Sequence, residues 1–252
     1  REALRTTGID VTHIGTARAL SSGVAMISVD QAGQNSITVV PGANNTLTPA
    51  DLDAAQDAIR SAGMILTQLE IPMETVEYLC ALAAHFGVPV MLDPAPARPI
   101  PPEILEQVTY LTPNETETCT LCGITKPELD LSTAGECATR LQAQGVANVI
   151  IKMGSRGAYV AAADNTRAIV PTFKVPVVDS TAAGDAFNGA FATALLSGMD
   201  VLEAVRYAAA AGAVSVTRAG AQPAMPTAAE VDSLIAANAQ AAPEQEVVEV
   251  EG

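Results

Sequence analysis

Between Val177 and Gly189 the sequence reads VVDSTAAGDAFNG, and its residue types suit one chemistry in particular. An apolar run ends at Val178, a turn of small residues follows, and a helix is expected to open near Gly184. Ala182, Ala183 and Gly184 carry little or no side chain, so their backbone N–H groups can approach a ligand closely. The positive end of the helix adds to them, and together they make an anion hole for a phosphoryl group. Asp185 would repel a phosphate, but it suits a general base that takes a proton from a hydroxyl attacking phosphorus. A plain capped helix with an acid in its first turn fits the same letters.

The elements around this stretch must bring it partners. MILTQLE (64–70), VPVMLD (88–93), YLTP (110–113) and NVIIKMG (148–154) read as short buried strands. They alternate with helical segments: 72–86, with apolar residues at Val76, Leu79, Cys80 and Ala83 and a stop at Gly87; one opening at Asn114; and 133–144, ending at Gly145. That alternation predicts right-handed crossovers and a parallel sheet covered on both faces. Ligands of such sheets bind beyond the carboxyl ends of the strands, which points to Glu70, Asp93, Asn114 and Gly154. Earlier, GVAMISV and SITVV flank DQAGQ as a hairpin over 23–40, and Thr48, Pro49, Asp51 and Asp53 open a helix running to Ser61. Later come short β segments (GAYVAA, RAIVP, FKVPVV), two alanine-rich helices and a final helix near 227–238.

The chain has 252 residues, 49% of them hydrophobic and 16% charged, with a formal net charge of −15. Against a usual charged fraction of about 25%, this describes a large apolar core. The acidity argues against binding a nucleic-acid backbone, and no apolar run is long enough for a membrane span. Cys119 and Cys122 form a C-x-x-C; with Cys80, Cys137 and only His13 and His85 elsewhere, the thiols are expected to pack rather than bind zinc. Four cysteines and no signal peptide suggest a reducing cytoplasm. Residues 241–252 carry four acids and no base, and a disordered tail is expected there after a single domain over 1–240.

DSTAAGDAFNGAF resembles the second signature of the PfkB-type carbohydrate kinases, the ribokinase family. LTQLEIP, LDPAPAR, LTPNETE, IKMGSRGAYV and VTRAGAQPAMP agree with that family in the same order, from about residue 5 to about residue 238. The resemblance implies a three-layer α/β/α sandwich with a mostly parallel central sheet and a small β lid, to which 23–40 would belong. It implies ATP-dependent phosphorylation of a sugar primary hydroxyl, D-ribose to D-ribose 5-phosphate, with Mg²⁺ and K⁺. A fructokinase or adenosine kinase of the family, or a catalytically impaired nucleotide-binding fragment, is the alternative. It also implies a homodimer paired through the lid.

Residue by residue, the resemblance makes Asp185 the base and gives Ala182, Ala183 and Gly184 the anion hole. Asn114 and Glu117 (N-x-x-E) would position Mg²⁺ and the phosphates, although a helix capping box fits that spacing equally well. Lys152 and Gly154, Ser155, Arg156 and Gly157 match the nucleotide-binding turn, and Glu70 matches the acid that contacts the sugar. Asp179 matches the side-chain ligand of a monovalent-cation site, with carbonyls from Thr181, Ser215, Arg218 and Gly220. Two positions depart from the family: Ala209 stands where a His or Asn lies beside the adenine, and Ala224 where a hydroxyl lies near the cation. The family's Gly-rich sugar signature, its early sugar-binding acid and its first strand have no counterpart here. The chain is therefore expected to carry the nucleotide-binding and catalytic part of such an enzyme.

Overall fold

The structure, a computed structural model, describes residues 1–29, 35–125, 129–241 and 248–249. A short helix α1 (Glu2–Thr6) precedes an antiparallel ribbon, β1 (Val24–Val29) and β2 (Asn35–Val40), with Val24 opposite Val40. The turn expected at 30–34, with Gly33, lies outside the described residues. Thr48 starts α2 (Pro49–Ala54), where the Asp51 carboxylate accepts the Thr48 N–H at 2.9 Å. The single helix expected to reach Ser61 is two: the backbone breaks at Ala55, and α3 (Gln56–Ser61) follows.

Four strands joined by three helical crossovers then build the parallel half of the sheet. They are β3 (Ile65–Thr67), α4 (Met73–Phe86), β4 (Val90–Leu92), α5 (Pro102–Leu105), β5 (Tyr110–Leu111), α6 (Glu115–Leu121), α7 (Leu131–Ala143) and β6 (Asn148–Lys152). The helical spacing read from 72–86 is the buried face of α4, where Val76, Leu79, Cys80 and Ala83 are all inside. Gly87 closes that helix in the left-handed conformation, φ 69°. All three residues of β4 are buried, as a strand covered on both faces requires.

After β6 the chain reverses without a crossover helix. β7 (Ala158–Ala161) and β8 (Arg167–Val170) follow as antiparallel neighbours, the second turn passing through Asn165 at φ 71°. Among the described residues the sheet's seven strands run β3-β4-β5-β6-β7-β8 and then β9 (Val248–Glu249), parallel through β6 and antiparallel beyond it. The mostly parallel sheet expected is thus a mixed one. The third β segment, FKVPVV, forms no strand. Pro176 offers no donor, and Val178 and Asp179 instead give their N–H groups to the Val216 carbonyl. Within the segment expected as a tail, Val248 and Glu249 pair antiparallel with β8. Residues 242–247 and 250–252 lie outside the described residues.

Helices α8 (Ala183–Leu196), α9 (Val201–Ser215) and α10 (Ala228–Ala241) complete the chain. They cover one face of the sheet, where Phe187, Phe191, Ala204, Ala208 and Ala211 pack with Met91, Ile150 and Val160. Helices α4 to α7 cover the other face, where Val76, Cys80, Ala138 and Leu141 pack with Leu92, Leu111 and Ile151. The result is a three-layer α/β/α sandwich. All four cysteines are buried and free, and burial pushes the Cys80 thiol up to about 11 and Cys137 to about 12, as packing thiols. No helix among the described residues is long and apolar enough to cross a membrane.

Candidate active site

The carboxyl ends of the four parallel strands meet the amino end of α8, and the residues singled out there lie together. Gln68 and Glu70 follow β3, Asp93 follows β4, Asn114 follows β5, and Lys152 ends β6. A cleft of about 440 Å³ opens at this edge, lined by Thr67, Gln68, Glu70, Asp93, Asp185 and Asn188 among others. Its size is that of a small-molecule site. A larger hollow, about 630 Å³, lies at the opposite ends of the strands beside Gly63, Pro89 and Thr109. That hollow lies away from the turn before α8 and from Asp93 and Asp185, which line the smaller cleft.

The small-residue turn has the shape its sequence calls for. Ala182 takes the left-handed conformation at φ 59° and precedes α8 without a side-chain cap. The Ala183 N–H bonds back to Ser180 (3.2 Å), and the Ala186 N–H bonds to the Ala182 carbonyl (3.0 Å). The amides of Gly184 and Asp185 lie between these two, in the first turn, where a helix leaves its donors unpaired. A Cβ on Gly184 would stand 3.3 Å from the Lys152 ammonium, so this glycine gives the lysine room to reach the turn. Helix α9 braces it from behind, with Gly212 close to the Ala183 carbonyl.

Asp185 faces the cleft, and its Oδ1 accepts a hydrogen bond from Gln68 Nε2 at 3.2 Å. The cleft walls strip water from its carboxyl, and this, with the nearby charge of Asp93, raises its pKa above the ordinary 3.8. Lys152 and Gln68 pull in the other direction without overcoming them. A carboxyl raised in this way suits a group that takes up a proton near neutral pH.

Asn114 and Glu117 form the capping box that their spacing allowed. Asn114 N–H donates to Glu117 Oε2 (2.7 Å), its Nδ2 to Oε1 (2.8 Å), and Glu117 N–H donates to Asn114 Oδ1 (2.9 Å). Glu117 is nevertheless buried against Asp93, and burial raises its pKa ahead of every other influence. Capping and a place beside the buried charges are thus compatible.

The turn Gly154–Arg156 follows β6. Gly157 has φ 91°, and a Cβ there would sit 2.1 Å from the Val170 carbonyl oxygen, so only glycine fits. Arg156 pairs with Glu115 and donates to the Leu129 carbonyl at 2.7 Å. Ser155 is exposed on the turn. Ala209 is buried in α9 and offers only a methyl group.

The expected cation-site segments also meet. Asp179 Oδ1 accepts from Thr181 N–H and Oδ2 from Gly220 N–H, both at 2.9 Å. These bonds, with that of the Thr181 hydroxyl, hold its carboxyl below the usual range. Ser215 spends its hydroxyl on the Gly212 carbonyl, Arg218 pairs with Glu230 at 3.0 Å, and Ala224 is fully buried and adds no hydroxyl.

Three residues entered the site without having been singled out, Gln68 on Asp185, Asn188 on Asp93, and Arg98, while Asp93, expected at a strand end, pairs with Lys152. Arg98 donates to the carbonyls of Leu69 (2.7 Å) and Ile71 (3.0 Å), so it straps the loop that carries Glu70. Each lies inside a quoted segment (LTQLEIP, LDPAPAR, DAFNG), which was the available signal.

A family model described as pfkB family carbohydrate kinase matches residues 1–228. A ribokinase of Haemophilus influenzae is 38% identical over 227 residues, covering 90% of this chain and 73% of that protein. A ribokinase of Bacillus subtilis is 40% identical over 232 residues, covering 92% of this chain and 75% of that protein. Among solved structures, that of Arabidopsis thaliana ribokinase complexed with ribose and ATP is similar with a TM-score of 0.77 at 33% identity, covering 86% of this chain and 70% of that one.

Proposed function

The chain belongs to the pfkB family and is an ATP-dependent carbohydrate kinase, and from that premise we propose that it phosphorylates the primary hydroxyl of D-ribose to give D-ribose 5-phosphate. The observation that carries this reading is Asp185, oriented by Gln68 at the mouth of the cleft and adjoining the unpaired amide of Gly184. Asp185 accepts the hydroxyl proton as the sugar oxygen bonds to the γ-phosphorus. The bond from that phosphorus to the β–γ bridging oxygen breaks, ADP leaves, and the proton passes from Asp185 to solvent. The amides of the α8 turn stabilise the charge on the transferring group. Glu70, held in the cleft by the Arg98 strap, accepts hydrogen bonds from sugar hydroxyls.

A divalent cation fits the charge of the site. Asp93, Glu117 and Asp185 surround Lys152, an excess of acid, and the buried Asp93 Oδ1 has no hydrogen-bond partner. No cluster of three or more His, Cys, Asp or Glu side chains forms a metal cage among the described residues. Mg²⁺ would therefore be held near Asp93 and Glu117 chiefly through water and phosphate oxygens, where it neutralises phosphate charge. Asp179, ionised and joining the 179–181 turn to Gly220, fits K⁺ with the carbonyls of Thr181, Ser215, Arg218 and Gly220; that ion would order the anion-hole turn. The exposed Val24, Met26, Val39 and Val40 of the β1–β2 ribbon favour pairing with a second copy.

The test is a coupled assay of ADP release with ribose, 2-deoxyribose, fructose, adenosine and no acceptor. Ribose-dependent release exceeding that with every other acceptor is expected. Equal release without any sugar would refute the assignment.

A further inference from the structure

We propose that Asp93 is a positioning residue that holds the Lys152 ammonium against the first turn of α8, where the lysine meets the transferring phosphoryl group; this rests on the kinase reading above. Asp93 and Lys152 come from β4 and β6, the strands flanking β5, so the pair reaches over the end of the strand between them. Lys152 Nζ lies 2.7 Å from Asp93 Oδ2, and the two side chains are only 13% and 8% exposed. Asn188, one turn into α8, donates to the same oxygen at 2.5 Å. The aspartate thus ties the lysine to the helix whose amino end forms the anion hole.

A buried ion pair contributes little net stability, because the cost of desolvating both charges offsets their attraction. Its value here is placement. A lysine carries its charge on a flexible four-carbon stem, and ordering that stem in advance lowers the cost of meeting a phosphate. Neighbouring cations are committed elsewhere: Arg156 to Glu115 and Leu129, Arg98 to the carbonyls of Leu69 and Ile71. Gly184 completes the arrangement, since a side chain there would crowd the ammonium.

The test is a double-mutant cycle on the full chain with Asp93→Asn, Lys152→Met and the pair together. Because Asp93 acts through Lys152, the Asp93→Asn change should lower kcat on the order of tenfold, with the KM for ribose little changed. Lys152→Met should lower kcat about a hundredfold. The double variant, which removes both charges of the pair and is expected to fold, should match Lys152→Met within about threefold. A second readout does not depend on activity. The chain has three lysines, Lys126, Lys152 and Lys174, so ¹⁵N-lysine labelling resolves each ammonium by NMR. The Lys152 signal should be distinct in the wild type, shift on adding ATP, and move toward that of the exposed Lys174 in Asp93→Asn. Losses that multiply in the double variant, or a Lys152 signal unchanged by Asp93→Asn, overturn the positioning role in an enzyme that stays active. A wild type with no ribose-dependent ADP release refutes the kinase reading and takes the proposal with it.

Discussion

Replacing Gly184 with alanine should separate the stability of the fold from the activity of the site. Gly184 is the second residue of α8 and does not occupy the left-handed region, so alanine meets no backbone strain there. Alanine instead limits the unfolded chain and favours the helix by about 0.5–1 kcal/mol. The added Cβ stands 3.3 Å from Lys152 Nζ and 3.9 Å from Asp93 Oδ2, tight enough to push the ammonium by a few tenths of an ångström and offset part of that gain. For a chain of this length 1 kcal/mol moves Tm by roughly 2–4 °C, so Tm should rise slightly or stay level. Activity should move the other way. The methyl group sits on the face by which a phosphoryl group approaches the Gly184 amide, and losing one such donor costs about 10²–10³ in kcat. Thermal melting and ADP release measured on one preparation decide it. A fall in Tm of more than about 5 °C, or an unchanged kcat, would refute the reasoning.

Four further outcomes follow from the same geometry. Gly157→Ala forces φ 91° on a residue with a Cβ and drives it into the Val170 carbonyl, so urea unfolding should show a loss of about 3 kcal/mol. Because Asp185 must be ionised to act and its pKa is raised, activity should fall on acidification at a pH above the ordinary carboxylate value of 3.8, as a kcat/KM profile would show. The raised pKa also penalises the ionised form in the fold, so Asp185→Asn should stabilise the protein above that pKa, a gain lost once pH drops below the unfolded value. Exchanging K⁺ for tetramethylammonium should lower kcat if an ion beside Asp179 orders the turn, and an unchanged kcat would exclude it.

Much of the scaffold could be read from the letters because its signals are local. The α4 stripe, the stop at Gly87 and the fully apolar β4 depend on residues within one or two turns of each other. The turn of small residues opening α8 was legible for the same reason, since Ala182, Gly184 and Asp185 are neighbours. The electrostatics were not. Gln68 and Asp185 are 117 residues apart, Asn188 and Asp93 are 95 apart, and Lys152 and Asp93 are 59 apart, so only the sheet order brings them together. Arg156 shows the converse case. Its place in the nucleotide-binding turn was expected from the resemblance, whereas its partners, Glu115 and the Leu129 carbonyl, are contacts that no local pattern announces. FKVPVV carried strand-like composition, yet its polar groups found a helix end, because Pro176 cannot donate to a sheet.

The most direct test of the account is the turnover of Asp185→Asn with ATP and ribose. The amide keeps the shape of the side chain and its contact with Gln68 but cannot take a proton. The account predicts a fall in kcat on the order of 10²–10⁴ with ATP still bound. A variant that turns over within about threefold of the wild type would contradict the assignment of Asp185 as the base, and with it the proposed mechanism.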